Sequence, residues 1–255
     1  MNPMAYLTQR RITPELMDDP QVDHNDLAVS LKFIRMVNRR LGGTAAALRQ
    51  LQRWSRNWPK DRTITILDIG TGSADIPLAI ATWARARGDR VKITAVDLHA
   101  ATLQLARQYI GERSDIELVQ HDALRLMDRF EPHQFDYAHA GMFLHHLQDI
   151  EVLTVLQIMN RLSAQGMIWN DLVRSRIAKL GVRLLTIGAP HIVQHDALVS
   201  VDGGFTRREA LDLARRADLP HVTYRSHLLY RFTLVSQKQP SAGHRRNANA
   251  LLTTY

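Results

Sequence analysis

A strand followed by a glycine turn and a helix constrains this chain more than any other stretch. Residues 64–69 form an apolar run with several β-branched side chains, which is typical of a strand buried on both faces. Gly70 and Gly72 follow, and residues 76–87 have a helical pattern. This order is the first half of a nucleotide-binding βαβ unit, in which glycines let the backbone approach a ligand near the helix N-terminus.

Strands and helices continue to alternate after this unit. Strands are predicted at residues 91–96, 116–119, 135–138 and 167–169, helices at 100–109 and 150–162, and a closing hairpin at 222–226 and 229–235. This rhythm predicts an α/β fold with a doubly wound, seven-stranded, mostly parallel sheet and right-handed crossovers.

Three segments are predicted along the chain. Residues 1–60 carry two helices that either cap the substrate side of the core or pack at the sheet's edge. Residues 61–237 form the core, with a lid insertion around 174–205 that joins an apolar helix to a His-rich loop. Residues 238–255 are rich in Pro, Gly, Ser, Asn and Arg, and we expect a flexible tail.

Composition narrows the classes of function. The chain has no cysteine, which excludes disulfides, zinc–thiolate sites and a thiol nucleophile, and no metal site is predicted. The net charge of +8 favours a nucleic-acid partner, but the arginines are spread over nearly every predicted helix, so a solvated surface is the preferred interpretation. No apolar stretch approaches the ~20 residues of a membrane span, and a cytoplasmic protein is expected.

The glycine turn does not fit the common phosphate-binding patterns. Asp75 occupies the position of the third glycine in a dinucleotide fingerprint, and the Gly-Lys pair of a P-loop is absent. Asp68 stands just before the turn, where a carboxylate is a poor neighbour for a pyrophosphate. A ligand with an ammonium or sulfonium charge is favoured instead.

Four short motifs follow one another at strand ends. They are the stretch 68–74 (Asp-Ile-Gly-Thr-Gly-Ser-Ala), Asp97 after the second strand, the triplet 121–123 (His-Asp-Ala), and residues 135–147. Taken singly, Asp97 or the aspartate of the triplet could be an ordinary helix N-cap. Together they resemble the motifs of the class I S-adenosylmethionine-dependent methyltransferases, over roughly residues 64–171.

The resemblance implies a Rossmann-like methyltransferase fold with S-adenosylmethionine as cofactor. One departure is Ala74, which stands where the family usually has a third glycine. In the family, the acid after the second strand holds both ribose hydroxyls, and the third motif meets the adenine. The implied cofactor-binding residues are Asp68, Gly70, Gly72, Asp75, Asp97, Leu98, Asp122, Ala123 and Ala140.

The acceptor side carries candidate bases. The fourth strand leads to His145 and His146 and the fifth ends at Asp171, so a His–Asp pair is predicted across the carboxyl edge of the sheet. At most one of the two histidines is predicted to be the base, and a purely structural role at a helix turn is an equal alternative. Further candidates for substrate contacts are Arg174, His191 and His195, and the segment 6–26 with the helix 177–187 is expected to roof an apolar pocket.

The predicted activity is methyl transfer from S-adenosylmethionine to a hydroxyl of a small apolar molecule. The stretches 14–18, 37–43 and 170–172 are similar to bacterial methyltransferases of secondary metabolism, which favours an aromatic, quinone-type or polyketide-type acceptor. Alternatives are carbon methylation of a quinone or polyketide ring, methylation of RNA, and cofactor binding without transfer. A homodimer is a candidate assembly.

Overall fold

One mixed sheet of seven strands forms the centre of the protein. The computed structural model describes residues 9–227 and 230–238. The strands are β1 (Ile64–Ile69), β2 (Val91–Asp97), β3 (Ile116–Gln120), β4 (Phe135–Gly141), β5 (Ser163–Leu172), β6 (Val222–His227) and β7 (Arg231–Gln237), in the order β3-β2-β1-β4-β5-β7-β6. Only β7 runs antiparallel to its neighbours, β5 and β6. The predicted seven-stranded, mostly parallel sheet is confirmed.

Eight α-helices in the described residues surround the sheet. They are α1 (His24–Arg40), α2 (Gly43–Trp54), α3 (Asp75–Ala86), α4 (Ala100–Ile110), α5 (Asp149–Leu162), α6 (Arg176–Leu185), α7 (His191–Gly203) and α8 (Arg207–Arg216). Asp23 begins α1 by accepting the backbone N–H groups of Asn25 and Asp26. Thr206 and Glu209 form a reciprocal capping box at the start of α8.

Strand β1 shows how the sheet is buried on both faces. Ile64 and Ile66 point into one apolar cluster, with α2 and α3, while Leu67 and Ile69 point into a second, with α5 and α8. Alternate side chains of a strand lie on opposite faces, so a strand between two layers of helices must be apolar throughout. This is why β1 appears in the sequence as an uninterrupted apolar run.

The two N-terminal helices have different positions. Helix α2 packs on the sheet, where the Trp54 ring stacks on Tyr137 with centroids 4.5 Å apart. Helix α1 instead lies over the carboxyl edge of the strands, and Leu31, Ile34 and Val37 line the cavity described below. The two helices thus lie in different places, α1 at the cavity and α2 against a face of the sheet.

The insertion around 174–205 differs from its predicted form. The His-rich stretch, expected to be a loop, is the helix α7, preceded by Pro190 and followed by Gly204. Its buried residues include Ile192, Val193 and Val201. The polar residues between them interrupt the apolar pattern by which a helix is predicted from the sequence. No helix among the described residues is long and apolar enough to cross a membrane. The predicted tail lies outside the described residues except for Lys238.

Candidate functional site

A cavity of about 480 Å³ opens at the carboxyl ends of β1, β2 and β4. Its lining includes the predicted cofactor residues Asp68, Gly70, Gly72, Asp75, Asp97, Leu98, Asp122 and Ala123. Ala140 does not line it, since this residue is fully buried in the apolar cluster between the sheet and α5. Ligands of open α/β sheets bind at this edge, so the motif residues meet where a ligand is expected.

The glycine turn is held close to its neighbours. Gly70 has φ +67°, and a Cβ added there would lie 2.4 Å from the Phe143 ring. Gly72 has φ +54°, and its N–H donates to Asp97 Oδ2 over 2.8 Å. The hydroxyl of Thr71, between them, is buried without a partner among the described residues. The turn therefore presents backbone and one unpaired hydroxyl to the cavity, which suits a bound polar ligand.

Besides Asp68, three acidic residues line this half of the cavity. Burial raises the pKa of Asp97, against the N–H groups of Gly72 and His99 that favour its ionised form. Burial also raises the pKa of Asp75, whose carboxylate accepts from Asn38 Nδ2 over 3.2 Å. Asp122 accepts from the backbone of Leu124 over 2.8 Å, so it does cap the short 3₁₀ helix Ala123–Asp128. One carboxylate oxygen of Asp122 remains for a ligand.

His139 is a member of the site that the sequence motifs do not indicate. Its Nδ1 lies 2.5 Å from Asp68 Oδ1, and both side chains are buried. Its Nε2 has no partner among the described residues, and the side chain lines the cavity. In the sequence, a histidine in the middle of an apolar strand cannot be distinguished from a structural histidine.

His145 and Asp171 form the buried pair predicted from the strand ends. His145 Nδ1 lies 2.7 Å from Asp171 Oδ1, and the carboxylate also accepts from Trp169 Nε1 and the backbone of Leu172. Burial would raise the pKa of Asp171, but His145 and these donors outweigh it and hold the pKa below its ordinary value. Because an ionised carboxylate only accepts, His145 donates from Nδ1 and its Nε2 is left for another group.

His146 has a different environment from its neighbour. Its Nδ1 lies 3.1 Å from Asp18 Oδ2 and its Nε2 lies 3.8 Å from Glu15 Oε1. Burial disfavours the charged ring, but these two carboxylates outweigh it and raise the pKa of His146 to about 9. At neutral pH His146 is therefore mostly protonated and unable to accept a proton.

Glu15 completes this cluster from the N-terminal segment. It is buried, accepts from the Ser200 hydroxyl, and its Oε1 lies 3.7 Å from His145 Nε2. Burial would raise its pKa, but His146 and His145 hold the pKa of Glu15 below its ordinary value. The ligand atoms of Glu15, His145 and His146 lie within 4.8 Å of one another, so these three could hold a metal ion. Glu15 belongs to the stretch 14–18 that carries the resemblance to bacterial methyltransferases, but nothing in that stretch predicted its contact with the two histidines.

An arginine that was not predicted, Arg231, lines the cavity, whereas the predicted Arg174 does not. Arg231 of β7 is buried and lines the cavity, and its Nη1 has no partner among the described residues. Burial lowers the pKa of Arg231 to about 10. Arg174, a predicted substrate contact, instead donates to the Gly204 carbonyl and to Glu209 Oε1, away from the cavity lining.

The two predicted histidines of α7 also lie outside the cavity lining. Val193, Asp196 and Ser200 of this helix line the cavity. His191 and His195 do not, and His195 Nδ1 is 2.9 Å from Asp196 Oδ1. Residues three and four apart share a helix face, as Val193, Asp196 and Ser200 do, and the two histidines therefore lie on other faces of α7.

The comparisons with known proteins agree with this architecture. A family model described as Methyltransferase domain matches residues 66–166, which contain most of β1, all of β2 to β4 and α3 to α5, and the motifs at the cavity. Residues 66–166 therefore form a methyltransferase domain. Among curated proteins, this chain is similar to demethylmenaquinone methyltransferase of Staphylococcus haemolyticus, with 29% identity over 142 residues. That alignment covers 54% of each chain, so the chain spans about half the length of the curated relatives it matches.

Solved structures of methyltransferases share the fold. The CurJ carbon methyltransferase aligns with a TM-score of 0.57, over 74% of this chain and 52% of that one. Human N-acetylserotonin methyltransferase in complex with SAM aligns with a TM-score of 0.51, over 69% and 48%. Sequence identity is 15% in both pairs. At this level the likeness establishes the fold of the methyltransferase core.

Proposed function

We propose that this methyltransferase transfers the methyl group of S-adenosylmethionine to a hydroxyl of a small, apolar, aromatic molecule. The observation that carries the proposal is the buried pair of His145 and Asp171, at the wall of a cavity whose other half holds the cofactor motifs. S-adenosylmethionine supplies an electrophilic methyl group on a sulfonium, so the protein must position an acceptor oxygen and remove its proton.

The cofactor half of the cavity suits this ligand. In the proposal, Asp97 accepts from the ribose hydroxyls, and Asp122 with the Ala123 backbone meets the adenine edge. The turn at Gly70 and Gly72 gives the ligand room beside the strand end, and Asp68 places a carboxylate on the same side. The orphaned hydroxyl of Thr71 and the unshared oxygen of Asp122 supply further polar groups to a bound cofactor.

The base is assigned to His145 rather than His146. Asp171 accepts the Nδ1–H of His145, so Nε2, which lies 3.7 Å from Glu15 Oε1, is the nitrogen that takes the proton of an acceptor hydroxyl. His146, with a pKa raised to about 9, is already protonated at neutral pH and serves as a cation near the developing phenolate. Asp171 is a positioning residue, since it acts on the acceptor through His145.

The acceptor is proposed to be apolar because helices α1, α6 and α7 contribute apolar side chains to the wall. Helices α1, α6 and α7 contribute Phe33, Ile34, Leu185 and Val193, and Phe143 follows β4. A cavity enclosed in this way suits a small ring better than a nucleic-acid strand. The name of the similar demethylmenaquinone methyltransferase of S. haemolyticus refers to a quinone-type acceptor. Methylation of a quinone or hydroquinone ring is therefore the second candidate.

A product screen tests the proposal. The protein is incubated with S-adenosylmethionine carrying a deuterated methyl group and a panel of alkylphenols, dihydroxybenzenes and hydroquinones, with mass spectrometry of the products. A labelled methyl ether supports oxygen transfer, and a label that survives ether cleavage indicates carbon transfer. No labelled product from any acceptor contradicts the proposal.

A variant pair tests the base. His145→Gln should cut turnover by at least about a hundredfold, the usual contribution of a general base, with unchanged affinity for S-adenosylmethionine. His195→Gln is the matched control, since this histidine also has a carboxylate partner but lies outside the cavity lining. Equal turnover in both variants would remove His145 from the mechanism.

A further inference from the structure

Helix α6 exposes an apolar stripe that nothing in the described residues covers. Ile177, Leu180 and Leu184 are 65%, 59% and 60% exposed, and their spacing of three and four places them on one helix face. Leu185 and Ile187 extend the exposed apolar surface at the end of the helix. Five of the eleven large apolar side chains exposed in the described residues thus fall within residues 177–187, whereas single exposed side chains are ordinary.

Cations border the stripe. Arg176 and Arg183 are exposed, and at 100° per residue both fall at one edge of the stripe. Neither forms an ion pair within residues 9–227 and 230–238. The opposite face of the helix is the packed one, where Ala178 and Thr186 are buried. An apolar face edged with arginines is the pattern of a helix that lies in a membrane interface.

The same helix forms part of the cavity wall. Val182 and Leu185 line the cavity, as does Val193 of α7, which packs beside α6. The outward stripe and the inward wall are therefore separated by a single helix. A molecule that leaves an apolar phase next to α6 has only this helix to pass before it reaches the cavity.

We propose that α6 docks in the plane of an anionic lipid bilayer and that the methyl acceptor enters the cavity from that bilayer. Ten residues of α-helix span about 15 Å, half the thickness of the hydrocarbon core, so the helix lies on the membrane and does not cross it. The net charge of +8 and the two unpaired arginines match an anionic surface. The entry of the acceptor rests on the proposed function, whereas the docking does not.

A second copy of the chain fits this surface less well. A two-fold interface brings the same patch of both subunits together, and when the two helices pair antiparallel, Arg176 and Arg183 of one copy lie beside those of the other. Like charges brought together at an apolar interface destabilise it. Phospholipid headgroups supply the opposite charge next to an apolar layer, which is what the stripe and its border require.

Vesicle sedimentation tests the docking. The full chain should sediment with vesicles of phosphatidylcholine and phosphatidylglycerol, and less with phosphatidylcholine alone. Leu180→Ser combined with Leu184→Ser should weaken vesicle binding by about a hundredfold or more, the loss expected for two buried aliphatic side chains. Ile150→Ser is the matched control, since Ile150 is also 65% exposed but belongs to a different helix, α5. Arg176→Gln combined with Arg183→Gln should remove the preference for the anionic lipid.

Several results would overturn the inference. These are a wild-type protein that stays in solution with both vesicles, a serine variant that binds as well as the Ile150→Ser control, and a wild-type dimer that the serine variant dissociates. Transfer to a water-soluble phenol without vesicles separates this inference from the proposed function. Transfer without vesicle binding removes only the docking, and vesicle binding without transfer to any acceptor removes only the activity.

Discussion

Replacing Asp97 by Asn tests the cofactor half of the cavity without any knowledge of the acceptor. A carboxylate offers about four acceptor positions on its two oxygens. In this structure Oδ2 accepts from Gly72 N over 2.8 Å and Oδ1 from His99 N over 3.2 Å, so each oxygen keeps one position for a ribose hydroxyl. The asparagine has a single oxygen, and its NH₂ group must face one of the two backbone donors.

The magnitude follows from this count. For the ribose, the variant loses one hydrogen bond to a charged acceptor and keeps the other only with a neutral acceptor, together about 3 kcal/mol. This corresponds to roughly a hundredfold weaker binding of S-adenosylmethionine. The ligand-free fold loses one backbone hydrogen bond to the side chain, worth about 1 kcal/mol. Part of this loss is offset, because burial raises the pKa of Asp97 above its ordinary value of 3.8 and folding therefore disfavours the ionised form that the variant removes.

Calorimetric titration with S-adenosylmethionine and with S-adenosylhomocysteine measures the effect. Asp128→Asn is the control, because this exposed carboxylate pairs only with Arg125 among the described residues, away from the cavity. Circular dichroism and thermal unfolding check that both variants are folded. Unchanged affinity in a folded Asp97→Asn protein would refute the assignment of this residue to the ribose.

Three further outcomes are expected. Asp171→Asn should lower turnover by about 10²- to 10⁴-fold at unchanged cofactor affinity, because the amide no longer fixes the base; a steady-state assay with full turnover would contradict this. Gly70→Ala should destabilise the fold by more than Gly42→Ala in denaturant unfolding. Both glycines have positive φ, which costs an alanine about 1–2 kcal/mol, but an added Cβ meets Phe143 at Gly70 and nothing within 4 Å at Gly42, so equal losses would refute the steric argument. Affinity for S-adenosylmethionine should fall on acidification at a higher pH than an ordinary aspartate would cause, because burial raises the pKa of Asp97 and protonation removes its charge; an affinity independent of pH would contradict it.

The fold and the cofactor motifs could be predicted because their signals are local. A buried strand, a glycine turn and an aspartate at the next strand end lie close together in sequence, and a parallel sheet brings strand ends to one edge. The pair of His145 and Asp171 followed from the same rule, and the two side chains do meet. Their catalytic role stays a prediction.

The rest of the cavity could not be predicted because its residues meet through tertiary packing. Glu15 reaches the histidines only because the backbone N–H groups of Leu16 and Met17 donate to Asp196 of α7. Arg231 enters the cavity from β7, in a strand whose sequence shows nothing unusual. His191 was predicted to contact the substrate because it lies in a His-rich stretch that was expected to be a loop. This stretch is the helix α7, and His191 is not part of the cavity lining.

Two separate parts of the chain form the cavity. The cofactor side comes from residues 68–123, inside the matched domain, whereas α1, α6 and α7 close the acceptor side from outside it. Under the proposed function, substitutions in α6 and α7 should change the accepted molecule without changing the contacts of the methyl donor, whereas α1 also reaches the cofactor side through Asn38, which donates to Asp75. Exchanging residues 174–205 is therefore the graft we expect to redirect the acceptor.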